Sequence, residues 1–168
     1  MPATRDVIER IVIEHVEAEN ARDMDWVMRT YAAEPVFDDV PSGALFEGKA
    51  AIAAAYQERF DAFPDMDRAI DRLTVGEVGA VAEITMRGHQ TGVYRGLPPK
   101  PEEQVLRIAA HFCVNDDGLI TRETTYYDAM TVAVGLGVLP DLDSVPGKLW
   151  LLRARPRLIP KLLRARLL

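Results

Sequence analysis

At 168 residues and 48% hydrophobic, the chain is long enough to fill one core and too short for two ordinary domains. The net charge of -6 hides an asymmetry: from Lys148 onward there are seven basic residues and no acidic one, leaving 13 bases against 26 acids in the body, a balance that argues against nucleic-acid binding. The single Cys113 excludes an internal disulfide and argues against a cysteine-based metal site, and without a run near ~20 apolar residues or a basic-then-apolar start the chain reads as cytoplasmic.

Residues 4–21 predict a helix capped by Thr4, with Val7, Ile8, Ile11, Val12, His15, Val16 and Glu19 on one stripe. A short second helix follows from about Met24 to Tyr31, capped by Asp23. Then come a strand near 35–38, a Pro-Ser-Gly turn, and an Ala-rich helix from about Lys49 to Ala62 that ends before Pro64. The pattern then changes to strands at 67–75, 78–91, 104–114 and 119–128. "GVYRGLPPKPEE" makes a long hairpin connection and "VNDDGLI" a tight one. A short helix is predicted after Asp128, with that residue as its cap. Helices first and strands afterwards imply an α+β fold.

Alternation places Ala82, Ile84, Met86, Gly88 and Gln90 on the apolar face of one strand, and Leu106, Ile108, Ala110, Phe112 and Val114 on that of the next. His89, Arg107 and His111 fall on the opposite face. The three histidines have no metal-ligand spacing, and no metal is expected. The domain is read as residues 1–140, with 141–168 as a basic apolar C-terminal extension. In that extension a membrane-surface helix is disfavoured by Pro156 and Pro160, and packing over the acidic body or a partner is preferred.

The stretch "VFDDVPSG" places Asp38 and Asp39 where the pattern still looks buried, and a buried carboxylate needs a partner or a purpose. Taken with "N-x-x-D-x-D" at Asn20–Asp25, "YA" at Tyr31–Ala32, "G-x-x-A-I" at Gly48–Ile52, "GHQTGVYRGLPPK" and "NDDGLITRETTYYDA", it resembles the superfamily of nuclear transport factor 2, ketosteroid isomerase and SnoaL-like polyketide cyclases. The resemblance runs from about Val7 to Leu139. It implies a cone-shaped, curved antiparallel β-sheet wrapped around the N-terminal helices, cofactor-free chemistry, and a homodimer formed through the outer sheet face.

On the isomerase pattern Asp39 falls at the general base and His15 at the tyrosine that hydrogen-bonds the developing oxyanion, while the second oxyanion donor falls on Ala110. On the cyclase pattern the general base falls on Thr125. The sheet histidine falls on Ala110 or His111, with alternation favouring Ala110. The resemblance therefore makes Asp39 and His15 the catalytic candidates, with Gln90, Glu123, Thr125, Tyr127, Trp26 and Tyr56 lining the substrate. Aromatic walls from Trp26, Phe37, Phe46, Tyr56, Phe60 and Phe63 suit a hydrophobic small molecule such as a polycyclic, terpenoid or aromatic ketone. Proton transfer at a carbonyl is the leading expectation. An epoxide hydrolase with Glu123 as second acid, and a non-catalytic binding or scaffold domain, are the alternatives.

Overall fold

The computed structural model describes residues 2–154, which fall into two compact units meeting in sequence at Ala129 and Met130. The first opens with helix α1 (Arg5–Ala21), whose Thr4 side chain caps it by accepting the Val7 N–H. Its buried residues Ile8, Ile11, Val12, His15, Val16, Ala18 and Glu19 recur at helical spacing, so one face enters the core and carries a histidine and a glutamate with it. Helix α2 (Met24–Thr30) is capped by Asp23 and runs directly into strand β1 (Tyr31–Asp39). A 3-10 turn (Val40–Ser42), strand β2 (Ala44–Glu47) and helix α3 (Gly48–Ala62) follow. In α3, Ile52, Tyr56 and Phe60 are buried at four-residue intervals.

Strands β3 (Asp67–Val75), β4 (Gly79–Gln90), β5 (Lys100–Val114) and β6 (Ile120–Tyr127) complete a six-stranded sheet in the order β2-β1-β6-β5-β4-β3. Four of the five pairings are antiparallel, as expected, but β1 and β6 run parallel, so the sheet is mixed. The chain reaches this arrangement because β6, last in sequence, is inserted beside β1, first in sequence, rather than ending at an edge. Strand β1 is also longer than the sequence pattern indicates, and β2, too short to show a period, has no counterpart in it. The alternation in β4 is as read: Ala80, Ala82, Ile84, Met86 and Gln90 are buried, and Val81, Glu83 and Arg87 are exposed. The outer face carries an open groove lined by Asp71, Glu83, Thr85, Arg87, Arg107 and Tyr126 among others.

The connection between β4 and β5 is fixed to the end of α3. The Thr91 and Gly92 N–H groups both donate to the Ala62 carbonyl, Tyr94 packs edge-on against Phe63, and the Arg95 N–H donates to Glu58. Gly92 has no room for a Cβ, which would sit 2.5 Å from the Asp61 carbonyl oxygen. Arg95 and Gly96 both take positive φ, turning the chain so that the Arg95 side chain points back over the sheet.

The second unit contains α4 (Ala129–Gly135, whose first residue belongs to the first unit) and α5 (Val145–Ala154), the latter capped by Ser144 with Pro146 in its first turn. Residues 155–168 of the basic tail, with Pro156 and Pro160, lie outside the described residues. Among the described residues no helix is long and apolar enough to cross a membrane.

Candidate functional site

The site residues form two groups along one face of the sheet. In the β1–β6 register Phe37 lies beside Glu123, and Asp39 beside Thr125. In parallel strands such neighbours share a face, so Phe37, Asp39, Glu123, Thr125 and Tyr127 point the same way. Phe37 and Asp39 are one pleat repeat apart, roughly 7 Å.

The first group surrounds His15, which has no solvent exposure. The Thr30 hydroxyl spends its single proton on the Val27 carbonyl at 2.6 Å, so at 2.7 Å from His15 Nδ1 it can only accept, and Nδ1 carries a proton. Nε2 faces Tyr56 Oη at 3.2 Å, Glu123 at 3.4 Å and Glu19 at 3.6 Å. The Tyr31 and Tyr56 hydroxyls both donate to Glu123 Oε2, leaving Nε2 to donate its own proton into this cluster. Burial disfavours a charged imidazole, but the Glu123 and Glu19 carboxylates outweigh it and raise the His15 pKa from 6.5 to about 9.

Burial likewise opposes the charge on Glu19, while Arg68, whose Nε lies 2.7 Å away, and His15 lower its pKa to about 2. Burial, followed by the Glu123 charge, pushes both phenols above their ordinary value. Two cations, His15 and Arg68, thus balance two buried carboxylates. Ligand atoms of His15, Glu19 and Glu123 lie within 4.8 Å of one another, as a metal set could. A dication there would have to displace the Nε2 proton and compete with Arg68 and two phenols, so the donor set is already satisfied by protons and a guanidinium.

The second group surrounds Asp39, which is 2% exposed. Arg95, from the β4–β5 connection, donates to Asp39 Oδ2 at 3.0 Å, and Ser42 lies 3.4 Å from the same guanidinium. Asp39 Oδ1 is buried and has no hydrogen-bond partner. The Tyr127 phenol is directed at this carboxylate, though not at close hydrogen-bonding distance: burial, then its hydrogen-bonding interaction with Asp39, raises the phenol above the ordinary value and keeps it protonated. Gln90, fully buried, directs its amide N–H groups at the carbonyls of Gly92, Leu97 and Pro98, leaving Oε1 buried and unpartnered. Its role is therefore to hold the segment that carries Arg95.

The structure thus gives Asp39 and His15 different partners, and among the described residues no hydrogen bond or ion pair joins them. Glu123 and Tyr56 belong with His15; Thr125 and Tyr127 lie beside Asp39. Trp26, half-buried, donates its indole N–H to Glu14 and joins neither group. Asp38 points away and pairs with Arg122 at 2.7 Å. Three participants lie outside the sequence reading of the site: Glu19, Arg68 and Arg95. Only Glu19 carried a signal, being an acid one turn beyond His15 on an otherwise apolar stripe.

A helix-covered, curved mixed sheet with buried carboxylates on one face defines the class of small α+β domains that bind or transform small molecules. Residues 12–123 match the model of the SnoaL-like domain, and the chain belongs to that family. No curated protein matches it significantly. Among solved structures it resembles AclR from Streptomyces galilaeus, provisionally a hydroxylase (18% identity, 97% of this chain and 98% of that one, TM-score 0.76). It also resembles a protein from Xanthomonas campestris pv. campestris provisionally assigned as a polyketide cyclase (26% identity, 80% and 99% covered, TM-score 0.68). A third is a protein of ketosteroid isomerase-like fold from Catenulispora acidiphila, solved with trimethylamine (18% identity, 76% and 92% covered, TM-score 0.65).

Proposed function

We propose that this chain is a cofactor-free enzyme that binds a hydrophobic small molecule and transfers a proton at its carbonyl, with Asp39 as the base. The observation that carries this reading is the division of labour within one carboxylate. Arg95 fixes Oδ2, while Oδ1 is sheltered from water and accepts no close hydrogen bond. A buried acceptor without a partner is costly, and a substrate C–H or a trapped water is what would relieve it. Tyr127, held as a neutral phenol beside Asp39, supplies a hydrogen-bond donor, and Thr125 on the adjoining strand offers a hydroxyl. His15 contributes in this reading as a fixed positive charge one pleat repeat deeper, not as the acid facing Asp39.

The family membership supports a small-molecule ligand, and the polyketide cyclase assignment of the Xanthomonas protein supports carbonyl chemistry. The test is solvent exchange of the acidic C–H of a polycyclic aromatic β-diketone in deuterium oxide, followed by NMR. The parent protein should accelerate exchange and Asp39→Asn should lose about 100-fold or more of that acceleration, with an unchanged melting temperature. Equal exchange by parent and variant would refute the assignment of Asp39.

A further inference from the structure

Four described arginines are not solvent-exposed: Arg22, Arg59, Arg68 and Arg122. Arg22 donates to the Asn20 and Met66 carbonyls, Arg68 pairs with Glu19, and Arg122 with Asp38. Arg59 is the exception. Among the described residues its guanidinium makes no ion pair or hydrogen bond and is held against aromatic faces, 4.9 Å from the Phe37 ring centroid and 5.3 Å from that of Tyr56. Those rings belong to an aromatic wall, with Phe46 stacked on Phe37 and Phe60 tilted against Tyr56.

The position of Arg59 follows from the fold. It lies on the last turn of α3, next to Glu58, which receives the Arg95 N–H. Phe37, which it covers, is two residues before Asp39 on the same face of β1. A guanidinium whose face rests on aromatic rings keeps its N–H edge free, and that fork fits a planar anionic oxygen pair.

Charge accounting gives the same direction. His15 and Arg68 balance Glu19 and Glu123, and Arg95 balances Asp39. Arg59 is the cation left over. Burial disfavours its charge, and the Glu19 and Glu123 carboxylates offset that cost from a distance without pairing with it. A half-buried cation without a counter-charge is an expensive feature unless something anionic completes it.

We propose that Arg59 is a ligand-binding residue that anchors an anionic oxygen, carboxylate or enolate, borne by an apolar ligand, while Phe37 and Tyr56, buried beneath the guanidinium, hold it in place. The assignment deepens the reading of Asp39 as base. Arg59 covers Phe37, two residues before Asp39 on β1, so an oxygen held by Arg59 belongs to the same end of the sheet as that carboxylate. It also narrows the ligand class from hydrophobic molecules in general to apolar acids and readily enolised ketones.

The experiment compares binding of 2-naphthoate with that of its neutral isostere 2-naphthamide, by calorimetry on the full chain. The parent should prefer naphthoate by roughly tenfold or more. Arg59→Gln should abolish the preference while retaining naphthamide binding, and Arg59→Lys, which keeps charge but not the planar fork, should retain part of it. Should the glutamine variant fail to fold, the parent ratio and the lysine variant decide. Equal binding of the two probes by the parent, or a full preference in Arg59→Gln, would overturn the proposal. The preference needs no turnover, so its survival alongside a failed exchange assay would remove the role of Asp39 and leave that of Arg59 intact.

Discussion

Raising the pH through the range set by His15 should weaken this fold, and the sign follows from which state holds the proton more tightly. The folded chain raises the ring from 6.5 to about 9, so the stabilisation is fully present below about pH 6.5 and is lost as pH rises through 9. A shift of that size corresponds to roughly 3 kcal/mol, or a fall of about 6–12 °C in melting temperature for a chain of this length. The groups facing the ring do not compete in that window. Tyr31 and Tyr56 are pushed above their ordinary values, and Glu19, paired with Arg68, is ionised far below it. The assay is urea unfolding at intervals between pH 6 and 10, for the parent and for His15→Gln, whose amide cannot take up the proton. The parent should lose stability across the window relative to the variant. Parallel pH profiles for the two proteins, or a nitrogen NMR spectrum showing a neutral ring at pH 7, would refute the charge network as described.

Glu123→Gln removes the largest influence raising the His15 pKa, so the alkaline loss of stability should begin at lower pH than in the parent, again read by urea unfolding. An unshifted window would mean that Glu19 alone holds the proton. Gly92→Ala places a methyl group against the fixed backbone of Asp61 and Ala62 and should detach the segment that carries Arg95. We expect it to cost about 1–3 kcal/mol of stability and to lower β-diketone exchange through loss of the Arg95 contact. Wild-type exchange in that variant would show that Arg95 is dispensable.

How far the sequence discloses the molecule depends on the range over which each feature is encoded. The α1 stripe, the caps Thr4 and Asp23 and the alternation of β4 are local patterns, and each appears in the structure as its pattern dictates. Asp39 follows Phe37 at a spacing of two, so its inward direction is also local. The parallel β1–β6 pairing joins residues more than 80 positions apart, and no local period specifies which strands become neighbours. That pairing decides the site, because it sets Glu123 beside Phe37 and Thr125 beside Asp39. Arg95 is legible only as a residue in a Pro- and Gly-rich connection. Its reach to Asp39 depends on two consecutive positive-φ residues and on the Gln90 amide holding three carbonyls.

The two groups differ in what they tolerate, and this bears on how one fold supports unlike chemistries. Around His15 no fully buried side-chain polar atom lacks a partner and the charges cancel; removing a charged member leaves another buried charge uncompensated, so the cluster resists change. Around Asp39 the balance is incomplete: one carboxylate oxygen and one glutamine oxygen accept no close hydrogen bond, and Arg59 lacks an anion. Those deficits have opposite signs and lie on or next to the same short stretch of β1, α3 and the β4–β5 connection. Folding alone gains nothing from leaving them open. A ketone whose oxygen gains negative charge as its neighbouring C–H gives up a proton would meet the carboxylate and the guanidinium in the same step, which is what the proposed chemistry asks of the groups the fold leaves unpaired.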